Sequence, residues 1–193
     1  MPHKKRYLTC LAVITFQLIG THPTLGQQYF TSSEGRANIH FIVEGEFHTA
    51  STNSVEIIYN LRKETIWLTF QVASFRTGNK KLDKKLFKKN PSHFVVRGDL
   101  RSKNIVSAGF DFFQFSFIGR IFNDHNTGPV SASGRFVFSP ENENKEYEFT
   151  LSSGIEKKWF GEKFASMSGY PVVNIHVITT ILKPVIATSG RGS

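Results

Sequence analysis

The chain has 193 residues, with 24 lysines and arginines against 15 aspartates and glutamates, a net charge of +9. That length suits one domain. Its single cysteine, Cys10, excludes an internal disulfide and a cysteine-built metal site, so packing must hold the fold together.

The first residues carry a basic cluster, Lys4, Lys5 and Arg6, followed by an apolar run from Tyr7 to Gly20. The run is too short and interrupted to span a bilayer, which takes about 20 apolar residues. Small residues then appear at Thr24 to Gly26. A charged start, a short apolar middle and a small-residue exit form the pattern of a cleavable secretory signal. The expectation is a signal peptide over residues 1–26, one domain over 27–184, and a disordered tail over 185–193. Periplasmic or secreted localisation follows from the signal. Cys10 lies near the start of the apolar run rather than after it, so no lipid anchor is expected. The leader holds three basic residues and no acidic one, so its removal lowers the net charge from +9 to about +6.

After the leader, alternation at period two dominates, the pattern of half-buried strands. Ile39, Phe41 and Val43 open it, and Val55, Ile57, Tyr59 and Leu61 form a second set. Ile66, Leu68, Phe70 and Val72 are the third, and Phe94 and Val96 the fourth. In the run from Phe110 to Phe117 the apolar phase passes from Phe110 and Phe112 to Phe113, Phe115 and Phe117, which predicts a β-bulge. Phe136 and Phe138 follow, then Tyr147, Phe149 and Leu151, then Val173, Ile175, Val177, Thr179 and Ile181. Turn chemistry marks 123–128, 139–142 and 152–154. Many short strands separated by turns predict an all-β sandwich or up-and-down barrel.

One segment breaks the alternation. Residues 79–89 form a short helix candidate that Asn79 can cap, with Leu82 and Leu86 facing the protein. Lys80, Lys81, Lys84, Lys85, Lys88 and Lys89 cover its other sides. Two readings stand for these lysines. One is a solvated face. The other is a lid making transient contact with an anionic membrane, where each lysine contributes about 1 kcal/mol.

Two segments carry a family resemblance. Val72 to Leu86 ends a strand in a small residue and serine, continues through Thr77-Gly78-Asn79, and places Asp83 and Leu86 on the short helix. Gly119 to Val130 aligns Gly119, Thr127, Pro129 and Val130 with a Gly-x-Leu-Thr-Ile-x-Gly-x-Thr-x-Pro-Val hairpin. Together they resemble the YceI-like, polyisoprenoid-binding family over most of residues 37–182. The resemblance implies an antiparallel lipocalin-like β-barrel holding an isoprenoid or other long-chain fatty lipid, with no catalysis and no cofactor. The sequence departs from that family at Arg76, where an aspartate is usual, at Leu82, where a basic residue is usual, and at His125, where a glycine is usual.

The residues point the same way. An apolar chain gains about 0.8 kcal/mol per buried methylene, and phenylalanines on inward phases can line a cavity or fill a core. The candidate ligand-binding residues are Phe41, Phe70, Phe112, Phe115, Phe136 and Phe149. The competing reading is an envelope structural or interaction protein with a solid core and a basic face. Hydrolase, zinc-protease, P-loop and dinucleotide motifs are absent from the sequence. The histidines after the leader, His40, His48, His93, His125 and His176, show no metal-ligand spacing. The lysine run lacks the interleaved aromatics that stack nucleic-acid bases, so no nucleic-acid partner is expected. Trp159 and Phe160 beside Lys157 and Lys158 read as a loop plug or an interfacial anchor. The oligomeric state is not written in the sequence.

Overall fold

The computed structural model describes residues 29–88, 92–107, 110–123, 126–138 and 146–185, with the side chains of 102–112, 138 and 179 outside that description. The signal peptide expected over 1–26 and nearly all of the expected tail lie outside it, as do His125 and Lys89. Val185, the first tail residue, donates its backbone N–H to the Tyr29 carbonyl at 2.8 Å and so extends the sheet by one bond.

Eight strands form a closed antiparallel barrel in chain order. They are β1 (Tyr29–Val43), β2 (Glu46–Asn60), β3 (Thr65–Gln71), β4 (His93–Ser107), β5 (Phe110–Phe122), β6 (Thr127–Phe138), β7 (Tyr147–Glu156) and β8 (Val172–Pro184). β1 pairs with both β2 and β8, which removes every free sheet edge. Each predicted alternation falls on one of these strands, except that Leu61 and Val72 lie one residue beyond the ends of β2 and β3. Ile39, Ile57, Ile66, Leu68, Phe94, Phe117, Phe149, Val173 and Ile175 point inward and are fully buried. This is the lipocalin-like barrel with a short helix that the sequence led us to expect.

The bulges fall elsewhere than predicted. β5 pairs with β6 without a shift from Asp111 to Phe122. Phe110 and Phe112 simply occupy the register positions alternate to Phe113, Phe115 and Phe117. The register shifts instead between Ser32 and Ala37 in the β1–β2 pair, and between Phe149 and Leu151 where β7 meets β8. A bulge exchanges the faces beyond it. Accordingly Ile181, expected inside, is 40% exposed, while Thr180 and Leu182 are buried.

The turn predicted at 152–154 is also corrected, because these residues continue β7. Their side chains are satisfied across strands: Ser152 Oγ lies 2.8 Å from His176 Nδ1, and Ser153 Oγ donates to the Ser131 carbonyl at 2.8 Å. Ladder pairing on both sides overrides the local turn preference of Ser-Ser-Gly.

Gly98 and Gly119 face each other across β4 and β5. A Cβ on Gly119 would stand 2.2 Å from the Arg97 carbonyl oxygen and 2.7 Å from the Gly98 Cα. The two backbones approach so closely that neither position has room for a side chain, which gives Gly119 of the second motif a physical reason. Pro129, paired with Arg120 on β5, precedes the first β6–β7 pair at Ala132, so its missing N–H leaves no β7 acceptor unmatched.

Candidate functional site

The two ends of the barrel are built differently. At one end the chain leaves the strands as a 3-10 turn (Val72–Ser74) and helix α1 (Lys80–Leu86), then again as a 3-10 turn (Lys157–Phe160) and helix α2 (Glu162–Met167). The second helix has no counterpart in the sequence reading. These segments carry Phe75, Phe87, Trp159, Phe160 and Phe164 into the barrel end, each at most 2% exposed. Phe160 and Phe164 have ring centroids 5.0 Å apart, as do Phe41 and Phe164, and Phe94 reaches Phe160 at 5.2 Å. Trp159 and Phe160 thus act as the plug that was one of their two readings, and the end is closed.

The first motif forms this closure. Gly78 has φ +85°, which a residue without a side chain adopts at little cost. It lets Thr77 turn back so that its N–H and hydroxyl both donate to Asp83 Oδ1, at 2.7 and 2.6 Å. Asn79 Oδ1 accepts from the N–H groups of Lys81 and Leu82 at 3.0 and 3.2 Å, the expected N-cap. Leu86 is buried, and Leu82 packs partly against the core. Where the family usually carries an aspartate, the Arg76 guanidinium instead donates to the carbonyls of Ala73 and Phe75, both at 2.6 Å. Lys80, Lys81, Lys84, Lys85 and Lys88 are exposed, and Lys85 reaches Glu44 on the β1–β2 turn at 3.4 Å. Helix α1 therefore sits over the closed end.

The opposite end holds the cavity. A hollow of about 250 Å³ is lined by Tyr59, Leu61, Glu64, Leu100, Phe113, Phe115, Phe136 and Tyr147. Its aromatic wall is continuous: Tyr59 stacks on Phe136 at 4.8 Å, and Phe136 lies 5.1 Å from Phe115 and 5.9 Å from Tyr147. Phe149 backs the wall, 5.2 Å from Phe136 and 5.9 Å from Phe115. Helix α1 and this cavity lie at opposite ends of the barrel, so the lysines do not form a lid over it.

Glu64 has φ 51° in the β2–β3 turn, and its carbonyl accepts from the Leu100 N–H at 2.8 Å. That bond fixes the turn at the cavity rim. The Tyr59 phenol has its pKa pushed up to about 12, by burial first, then by the Glu64 carboxylate and Tyr147. It is a neutral donor at any physiological pH. Larger hollows of about 700 and 920 Å³ lie on the outer face of the sheet, among polar side chains such as Arg101, Gln114, Ser116 and Arg135, or Glu34, Arg36, Glu56 and Lys183. They lack the aromatic wall of the inner cavity.

The six candidate phenylalanines therefore separate. Phe115 and Phe136 line the cavity and Phe149 supports it. Phe41 and Phe70 belong to the closed end, where Phe70 stacks on Phe94 at 4.9 Å. Phe112 sits on β5 opposite Val137, with its side chain outside the described residues. Sequence reasoning missed Tyr59, Leu61, Glu64, Leu100, Phe113 and Tyr147 as lining residues, although Tyr59, Leu61, Phe113 and Tyr147 lie on alternations it had read as strands.

His40 and His176 come together on the outer face with ring centroids 5.3 Å apart. Each Nδ1 meets a hydroxyl, from Thr49 at 2.9 Å and Ser152 at 2.8 Å. Burial and the neighbouring His176 hold His40 below the ordinary histidine pKa. Among the described residues, no group of three histidines, cysteines or carboxylates could hold a metal ion.

No protein-family model matches the sequence, and no curated protein matches it. One solved structure that it resembles is a polyisoprenoid-binding domain from Saccharophagus degradans implicated in plant cell wall breakdown. The two superpose with a TM-score of 0.54 and 10% sequence identity, over 82% of this chain and 98% of that one. The resemblance first read from two short motifs is thus met in the backbone: the chain has the fold of a polyisoprenoid-binding domain.

Proposed function

We propose that this protein is an exported carrier that takes up the apolar chain of an isoprenoid or fatty lipid in the open end of its barrel, without chemical change to it. The observation that carries the reading is the aromatic-walled cavity of about 250 Å³ beside the neutral Tyr59 phenol. Small-molecule sites are typically apolar hollows with a few polar groups that fix orientation, and this one has that character. The polyisoprenoid-binding domain of the same fold supports it, and the N-terminal pattern of residues 1–26 supports export.

A second reading keeps the barrel as a structural or interaction protein of the envelope. The solid aromatic packing of the closed end and the exposed lysines of α1 favour it. Native mass spectrometry of the purified protein, followed by organic extraction, separates the two. The carrier should show added mass that extracts as lipid, or should take up lipid when it is offered. Protein that stays ligand-free and binds no lipid would falsify the carrier reading and leave the structural one.

A further inference from the structure

The cavity is short because the closed end is already full. An engineered apolar cavity of about 150 Å³ takes up benzene, which has six carbons. By that measure the 250 Å³ here holds about ten carbons, two isoprene units or a decyl chain. Deeper in the barrel the space is taken by Phe70, Phe94, Phe117 and Phe160, each at most 1% exposed and in ring contact with or packed among other core residues. A longer chain would meet this packing and would have to leave its remainder outside.

The rim carries a second constraint. Among the described residues, Glu64 is the one formally charged residue in the lining. The Glu64 backbone is anchored to Leu100. Arg62 and Lys63 in the same turn are exposed and do not line the cavity. A carboxylate head at this mouth would face a like charge with no lining cation among the described residues to offset it, whereas a hydroxyl could accept from the phenol or donate to the carboxylate there.

We propose that the barrel encloses only about ten carbons of an apolar chain, and that for a chain of that length, whose head group then sits at the mouth, it favours an uncharged alcohol over a carboxylate. This rests on the carrier reading and narrows its ligand class.

The test is a homologous series of straight-chain alcohols from hexanol to hexadecanol, with affinities measured on the whole protein by displacement of a fluorescent apolar probe. Affinity should rise about fourfold with each added methylene, then level off near decanol. A rise that continues to hexadecanol overturns the length limit while leaving the carrier reading intact. No binding at any length overturns the carrier reading itself. Decanol should bind about fivefold more tightly than decanoate at neutral pH, and Glu64→Gln should close most of that gap. Equal affinities in the native protein overturn the head-group preference.

Two substitutions move the break point and depend differently on folding. Leu100→Phe fills the cavity and should shift the levelling to shorter chains. Phe149→Ala deepens it and should shift the levelling to longer ones. A break point that stays at the same length in whichever of these variants folds places the chain elsewhere and overturns the proposal.

Discussion

The two ends of this barrel use the same residue type for opposite purposes. At the closed end Phe41, Phe75, Phe87, Phe94, Phe160 and Phe164 meet ring to ring and leave no room. At the open end Phe113, Phe115 and Phe136 stand around a hollow. The difference lies in what crosses the barrel. The segments at 157–167 bring extra rings inward at one end, and among the described residues nothing equivalent enters the other. A phenylalanine becomes filling or lining according to whether a second layer of chain covers it.

The sharpest way to break this contrast is to truncate one ring at each end. Phe164→Ala removes a fully buried ring touching the rings of Phe41, Phe87 and Phe160 and should cost about 3–5 kcal/mol. Phe113→Ala enlarges a hollow that already exists, around a half-buried ring, and should cost less than about 1.5 kcal/mol. Urea denaturation of both variants measures the difference, and equal losses would mean that the open end is packed as tightly as the closed one.

Asp83→Ala tests whether the closed end is also held by its polar turn. It leaves the Thr77 N–H and hydroxyl without their acceptor and should lower stability by about 1–3 kcal/mol, read from the same denaturation curves. A loss below a few tenths of a kcal/mol would show that the aromatic packing alone fixes the helix.

The smallest effect belongs to the open end and to high pH. Tyr59 keeps its proton in the folded protein up to about 12, whereas an unfolded tyrosine loses it near 10. Between those values the folded state binds more protons, so stability from this group is complete below pH 10 and declines as pH rises toward 12. Phenolate absorbance should show one tyrosine titrating late, and Tyr59→Phe should abolish that late phase.

Much of this architecture was legible because alternation reports which face of a strand is buried. Ile39, Ile57, Leu68 and Phe149 were read correctly on that basis. Alternation cannot report height along the barrel axis, so Phe41 and Phe136 looked equivalent although they lie at opposite ends. Nor does it foresee the extra residue that β8 inserts between Val177 and Thr180 against β7, which put Ile181 outside. Asn79, Gly78 and Asp83 were legible because a cap and its turn are local in sequence. Helix α2 was not, since six residues with a single fully buried side chain, Phe164, give no helical period. Glu64 escaped notice because its role comes from a turn meeting Leu100, a contact between distant positions.

The pairing of β1 with β8 has a consequence for how the molecule forms. Phe30 sits opposite Pro184 and Thr31 opposite Lys183, so the seam that closes the sheet joins the first described strand to the last. Every other neighbour can pair as soon as the next strand is made, but this seam must wait for nearly the whole domain and bear the entropy of closing a loop of that length. Folding is therefore expected to be slow for the chain's size, as it is for proteins dominated by distant contacts. A chain cut short before β8 would leave β1 and β7 as bare edges, open to pairing with other chains.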